Sequence, residues 1–365
     1  MEIQINKNMS KNRIIAFYLP QFHPIPENDK WWGRGFTEWT NVGKAKSLYF
    51  GHYQPRVPAD LGYYDLRCSE SREAQAEMAK KYGIEGFCYW HYWFGNGKRL
   101  LERPFTEVLE SGKPDFPFCL AWANESWKGF WHGVNGREVL MEQQYPSEQD
   151  FIDHFYALLP AFKDSRYIKV ENKPLFMIYR PLELPNAKQF IDLWRDLAKR
   201  NGLEGIHFVG QLYPSVTETV DRVMALGFDA VNTVRIGAYS DHKAKIWDRL
   251  IRKIRHKVFK SPIIHAYKNV SKYFINEQDG DEKVYPTIIP NWDHTPRTGR
   301  KGLVFHNSTP DLFRVHLHDA KEILDKKENK ICFLKSWNEW AEGNYVEPDM
   351  RYGYQYLEAI KDVLQ

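Results

Sequence analysis

The stretch Ile331–Asn344 reads ICFLKSWNEWAEGN. Its first four residues form an unbroken apolar run, the pattern of a strand buried on both faces rather than on one. The rest opens into a polar, aromatic segment carrying two carboxylates three positions apart, Glu339 and Glu342. The same construction recurs along the chain. Apolar runs at Arg13–Leu19, Gly86–Trp93, Pro117–Ala123, Pro174–Tyr179, Ile206–Leu212, Phe228–Val234, Val284–Ile289 and Ile331–Trp337 alternate with segments of helical period. Those segments lie near Ser69–Tyr82, Glu148–Phe162, Ala187–Asn201, Thr309–Lys326 and Tyr352–Val363, with Gly202 as the stop signal of the third. Eight strands with intervening helices predict an α/β fold, a single (β/α)8 barrel of TIM type. An open doubly wound sheet with a second domain is the competing arrangement. It calls for a Gly-rich phosphate loop after the first strand, and residues 18–26, YLPQFHPIP, contain none.

The expected organisation is one catalytic domain over 1–365. It carries an active-site loop at 20–68 after strand one and an insertion at 235–283 after strand six. Both would lie on the C-terminal face of the barrel, where the loops that follow the strands build active sites.

Composition narrows the function. With 43% hydrophobic and 27% charged residues among 365, the chain is an ordinary globular one, which excludes disorder and collagen-like repeats. Lys and Arg number 51 against 47 Asp and Glu, a net charge of +4 that gives no reason to expect nucleic-acid binding. Aromatic residues reach 15%, which suits a surface for ring-shaped ligands. Of the four cysteines, Cys88, Cys119 and Cys332 fall inside apolar runs, where a thiol behaves as a small hydrophobe; Cys68 does not. The first residues, MEIQINKNMSKNR, are polar, and no run of about 18 apolar residues occurs. A cytoplasmic address is expected.

The other runs end much as the eighth does. After the third comes Trp122-Ala123-Asn124-Glu125-Ser126-Trp127, and after the seventh Asn291-Trp292-Asp293-His294-Thr295-Pro296-Arg297. The second carries Trp90, His91, Tyr92 and Trp93. The first supplies Tyr18, Gln21, Phe22 and His23, followed by Trp31, Trp32, Glu38 and Trp39. A barrel would gather these groups on one face as a ring-binding pocket with a carboxylate pair. Fully extended, three residues span about 10 Å, and a curled strand end shortens this. Carboxyl separations of about 5 Å suit retaining glycosidases and about 6.5–9.5 Å inverting ones.

These stretches resemble the WbsX-like family of surface-polysaccharide glycosyltransferases, whose domain is similar to glycoside hydrolase family 99. The resemblance is carried by Phe17-Tyr18-Leu19-Pro20-Gln21-Phe22-His23, Gly35-Phe36-Thr37-Glu38-Trp39-Thr40-Asn41, Gly51-His52-Tyr53-Gln54-Pro55 and Gly86 to Phe94. It continues through Leu120 to Glu125 and Trp337-Asn338-Glu339-Trp340-Ala341-Glu342-Gly343. It runs from about Arg13 to the C-terminus. The hydrolase family consists of retaining endo-α-mannosidases on a (β/α)8 barrel. What the resemblance implies is a neighbouring-group mechanism. Glu339 would deprotonate the sugar 2-hydroxyl, and Glu342 would protonate the leaving oxygen and then activate water or an acceptor. Ala341 stands where the hydrolases usually carry His. Asp293 and Arg297 loosely match an active-site loop and are carried over as substrate contacts.

The expected site thus has Glu339 and Glu342 as catalytic residues. Tyr18, His23, Trp39, His91, Trp93, Trp122, Asn124, Glu125, Trp292, Asp293, Arg297, Trp337, Asn338 and Trp340 are the expected substrate contacts. Glu125 would orient a hydroxyl or pair with Arg297. Period-two alternation puts Lys335 on one face with Trp337 and Glu339, as a modulator of a carboxylate or a snorkelling lysine. His23 and His91 lack metal-binding spacing, so no metal and no other cofactor is expected. The expected partner is an oligosaccharide or polysaccharide, lipid-linked if the enzyme is biosynthetic, with no nucleic acid. Residues 243–260 hold eight Lys/Arg and one acid on a helical apolar period. That pattern fits either a surface helix or peripheral contact with an anionic inner membrane. Three functions remain open: a retaining glycosidase or transglycosidase, a nucleotide-sugar-dependent glycosyltransferase, and a glycan-binding barrel without catalysis.

Overall fold

The computed structural model describes residues 11–129, 138–239 and 261–365. Eight strands form its centre: β1 Arg13–Tyr18, β2 Gly86–Trp93, β3 Phe118–Trp122, β4 Lys173–Ile178, β5 His207–Leu212, β6 Ala230–Thr233, β7 Val284–Ile288 and β8 Ile331–Leu334. Each is hydrogen-bonded in parallel to its sequence neighbour. The circle closes because β1 also pairs with β8, Ile15 opposite Phe333 and Ala16 opposite Leu334. This is the (β/α)8 barrel, and the doubly wound alternative is excluded. The runs read from sequence all form strands, but β8 stops at Leu334, so Lys335 to Trp337 belong to the loop.

Helices fill the crossovers: α1 Ser69–Lys81, α2 Arg103–Ser111, α3 Glu148–Lys163, α4 Ala187–Arg200, α5 Val220–Met224, α6 Pro310–Leu324 and α7 Gln355–Leu364. Local chemistry starts and stops them. The Ser147 hydroxyl accepts from the Asp150 N–H at the start of α3, and Thr309 does the same for Leu312 before α6. Gly202, at φ 82°, follows the end of α4.

Both faces of the strands are covered, which is why β2 is buried along its whole length. Inside the barrel, Phe17 stacks on Trp90 at 5.0 Å and on Phe333 at 5.2 Å. A polar rung, Gln211 to Asn232 to Thr287, links β5, β6 and β7. Outside, the fully buried Trp194 of α4 packs on Phe176, Phe190 and His154. The β1–β8 seam is extended beyond the ladder by Asn338. Its side chain accepts from the Leu19 N–H (2.7 Å) and donates to the Leu19 carbonyl (3.1 Å), standing in for another rung.

The segments that follow β6 and β7 together build a second small core from Val234, Ile236, Tyr267, Val270, Phe274, Ile289 and Phe305. There Ile263–Ala266, from between β6 and β7, pairs in parallel with Leu303–His306, from after β7. The basic stretch 243–260 lies outside the described residues. No helix among the described residues is long and apolar enough to cross a membrane. Cys88, Cys119 and Cys332 are buried free thiols in strands, as their apolar settings predict, and Cys68 is exposed.

Candidate active site

A cavity of about 420 Å³ opens at the C-terminal ends of the strands. Every strand contributes to its lining: Leu19 and Gln21 after β1, Trp90 and Tyr92 from β2, Ala123 and Glu125 after β3, and Tyr179 and Arg180 after β4. Tyr213 follows β5, Ile236 and Gly237 follow β6, Trp292, His294 and Arg297 follow β7, and Lys335, Glu339 and Glu342 follow β8. The rings brace one another: Trp90 meets Tyr179 edge-on at 5.5 Å, and Tyr92 meets Trp127 at 5.2 Å.

Glu339 is nearly buried, 5% exposed. Its Oε1 accepts from the Trp90 indole N–H (2.9 Å) and its Oε2 lies 3.4 Å from the Lys335 ammonium. Burial pushes its carboxyl above the usual range; Lys335 pulls it down, and the neighbouring Glu342 pushes it up again. Lys335 is ringed by Phe17, Trp90 and Trp292 at 5.7–5.8 Å. Burial works against its charge, but Glu339 and Glu342 outweigh that and hold it as an ammonium.

Glu342 receives Nη1 of Arg297 at 2.5 Å and the Asn344 amide at 3.2 Å. The other edge of the same guanidinium, Nε and Nη2, grips the fully buried Glu38 at 2.9 and 2.8 Å. Arg297 thus ties the loop after β1 to the loop after β8. His294 Nε2 stands 3.8 Å from Glu342, and burial, helped by Arg297, pushes its imidazole down to about 4. It is therefore neutral at pH 7. The turn carrying the glutamates is pinned from below by the Asp293 N–H, which donates to the Glu342 carbonyl at 2.6 Å. Gly343, at φ 68°, leaves room for this, since a Cβ there would sit 2.8 Å from that of Asp293.

Lys335 gives a signed test. Removing its charge leaves Glu339 with burial and Glu342 as the dominant influences, so its carboxyl moves further up. In Lys335→Met the acid limb of kcat/KM against pH is expected to shift to higher pH. An unmoved limb would detach Lys335 from the chemistry.

Of the expected contacts, Glu125, Trp292 and Arg297 join Glu339 and Glu342 in lining the cavity. Glu125 pairs with Arg180 (3.4 Å), not with Arg297, whose guanidinium is committed to Glu38 and Glu342. The remaining expected contacts lie outside the lining, each for a definite reason. In β2, Trp90 and Tyr92 face the cavity, so their alternates His91 and Trp93 face α3. His91 bonds His154 at 2.8 Å, and Trp93 donates to Asp150. Tyr18 is in register with Tyr89 and donates outward to Gln75 of α1. The Trp122 indole donates to the Trp93 carbonyl. Asn124 is spent on the Arg180 backbone and the Tyr145 hydroxyl. His23 bonds the Pro20 carbonyl, and Trp39 the Tyr64 carbonyl. Asp293 is buried against His52, Gln54 and Thr295. Asn338 clasps Leu19, and the Trp340 indole donates to Glu347. Trp337 is fully buried against Phe87, so alternation does not put it with Lys335 and Glu339. Ala341 is buried outside the lining too.

Tyr179, Arg180 and Tyr213 line the cavity without having been singled out in the sequence, whereas Gln21, Trp90, Tyr92 and His294 were among the groups expected to converge there but not among the expected contacts. Gln21 is 5% exposed and its amide nitrogen has no protein partner among the described residues, so it is available to a ligand. No cluster of three or more His, Cys, Asp or Glu side chains among the described residues is arranged to hold a metal.

The fold is shared with a glycoside hydrolase-like protein, at a TM-score of 0.62 and 16% identity over 100% of this chain and 97% of the other. It is also shared with the GH99 endo-alpha-mannosidase from Bacteroides thetaiotaomicron in complex with bis-tris-propane. There the TM-score is 0.57 at 15% identity, over 96% and 95% of the two chains. At such identities the likeness is one of fold. Residues 14–360 match the family described as glycosyltransferase WbsX. The chain is 37% identical over 358 residues to the uncharacterized protein WxcX of Xanthomonas campestris pv. campestris. That match covers 96% of this chain and 49% of WxcX, so the chain spans about half the length of this relative. The chain belongs to the WbsX glycosyltransferase family.

Proposed function

We propose that the protein makes or breaks glycosidic bonds in surface polysaccharides, O-antigen or capsule, through Glu339 and Glu342 by a retaining mechanism. The observation that carries this reading is the pair of adjacent glutamates at the mouth of the barrel, each held by a different cation in a ring-lined cavity. Glu339 takes the proton of the sugar 2-hydroxyl, whose oxygen then attacks C1. The C1–O bond to the leaving group breaks, and the leaving oxygen takes a proton from Glu342. In the second step Glu342 takes a proton from water or an acceptor hydroxyl, whose oxygen attacks C1 of the 1,2-anhydro sugar, and Glu339 returns its proton to O2. The raised Glu339 carboxyl suits a base that must accept a hydroxyl proton.

The proposed setting is cytoplasmic, on free or lipid-linked glycans. The basic amphipathic pattern of 243–260 supports peripheral contact with an anionic membrane, and flotation with anionic vesicles checks it. Failure to float would remove that contact. Nucleotide-sugar-dependent transfer is the second reading, favoured by the family's name. Among the described residues, however, the cavity cations Lys335, Arg297 and Arg180 are already paired with Glu339, Glu342 and Glu125, which leaves little to receive a diphosphate.

A product assay on lipid-linked and free surface glycans separates the two readings. New reducing ends, or redistributed chains without any nucleotide sugar, are expected. Product formed only with one nucleotide sugar, with release of its nucleotide, would overturn the mechanism.

A further inference from the structure

Behind the cavity wall, on the side of α1, lies a further buried glutamate. Glu347 is 2% exposed. Its carboxylate accepts three hydrogen bonds from neutral donors: the Trp340 indole (2.6 Å) and Tyr64 hydroxyl (2.9 Å) on Oε2, and the Gln75 amide (2.6 Å) on Oε1. The Tyr18 hydroxyl completes the network by donating to Gln75 (2.7 Å). No cation is in hydrogen-bond contact with Glu347 among the described residues. The titratable and charged groups around it are Tyr18 of β1, Tyr89 of β2, Tyr64 of the loop after β1, and Arg72 of α1. Arg72 is itself committed to Glu107 and the Leu66 carbonyl.

A carboxylate is a costly means of satisfying three neutral donors in a protein interior, where an apolar side chain would fill the same space. What it gains here is the fixing of Trp340, the residue that stands between Glu339 and Glu342 in sequence. Trp340 is 1% exposed, stacks on Tyr345 at 3.7 Å and meets Trp39 at 5.5 Å, contacts without a preferred hydrogen-bond direction. The indole N–H bond to Glu347 adds the directional contact that fixes the ring's orientation.

We propose that Glu347 is a positioning residue: by holding the Trp340 indole it sets the turn from Glu339 to Glu342, and with it the spacing of the catalytic pair. The proposal rests on the two-glutamate reading of the site. It makes Glu347 necessary for turnover although its side chain lines no part of the cavity. Burial pushes its carboxyl up to about 7, against the pull of the hydrogen bonds from Trp340, Gln75 and Tyr64, so its ionisation falls where it is readily followed.

The test has two arms. In the first, the indole ¹H–¹⁵N signals of the full chain are followed from pH 5 to pH 9, with Trp340→Phe assigning the relevant one among 13 tryptophans. The Trp340 signal is expected to move with a midpoint near neutrality in the wild type and to stay fixed in Glu347→Gln. In the second arm, Glu347→Leu removes every acceptor and is expected to lower kcat by roughly 100-fold, the weight of an ångström-scale misplacement, with little change in KM. Glu347→Gln keeps an acceptor for the indole and is expected to recover most of that loss. A purely space-filling role would not produce this split. A Trp340 indole signal that Glu347→Gln leaves identical to the wild type at every pH, or a folded Glu347→Leu with wild-type kcat, would overturn the proposal. The indole arm needs no turnover and remains decisive if Glu347→Leu fails to fold. Failure of the parent reading shows separately, as activity retained in Glu339→Gln and Glu342→Gln.

Discussion

Glu339→Gln and Glu342→Gln are each expected to lower turnover by about 10²–10⁴-fold or more, while folding and glycan binding survive. The amide at position 339 keeps the shape of the side chain and still accepts from Trp90, so the ring wall stays in place. What it loses is the capacity to take a proton from a hydroxyl. At position 342 the amide can still accept from Arg297, which Glu38 holds independently. Because the two groups work in one cycle, the double variant is expected to be hardly worse than either single one. The product assay measures the rates, and near-UV circular dichroism confirms the fold. Wild-type rates in both variants would move the chemistry away from β8.

Asp293→Ala is expected to cost about 3–5 kcal/mol of stability, the usual penalty for removing one partner from a buried charged network. Asp293 is 0% exposed and accepts from His52 (2.8 Å), Gln54 (2.8 Å), and the Thr295 hydroxyl (2.6 Å) and N–H (3.1 Å), with Arg56 at 3.8 Å. Burial alone would push its carboxyl up, but the His52 hydrogen bond and the Arg56 charge hold it down at about 2. A folded value below the ordinary 3.8 means that ionised Asp293 favours the folded state. This stabilisation, roughly 2 kcal/mol, is complete above about pH 4 and disappears as the pH falls through about 2. The variant should therefore lose the corresponding part of the acid denaturation curve. Urea unfolding at neutral pH and at pH 3 checks both statements. A direct substrate contact would behave oppositely, with KM raised and the unfolding midpoint unchanged.

The architecture was legible because each barrel strand must be apolar on both faces, and eight such runs spaced by helical patterns leave few alternatives. The same property hid the orientation of the side chains. In GFCYWHYW no polar residue marks the solvent side, so alternation reveals that Trp90 and Tyr92 share a face but not which face it is. One anchor would have settled it: the partner of Glu339 must point inward, and that partner is Trp90. Trp337 was misplaced for a different reason, since alternation was extended past Leu334, where the strand ends. Asn124 and Asn338 look like sugar-binding amides in sequence, yet both are consumed by backbone groups at strand ends that lack ladder partners. Arg180 and Tyr213 sit in segments without any motif, and only barrel closure brings them opposite the glutamates.

The position of β1 between β2 and β8 has a consequence for how the protein is made. β1 leaves the ribosome before the other barrel strands, and its second neighbour, residues 331–334, is the last barrel strand to follow. Until β8 is made, β1 and the newest barrel strand each present a bare apolar edge with no partner yet in existence, the situation that invites pairing between chains. The barrel is thus completed only once residue 338 has been made, when Asn338 can fasten onto Leu19. A chain truncated before Ile331 would carry both open edges permanently, exposed to chaperones, proteases and other chains.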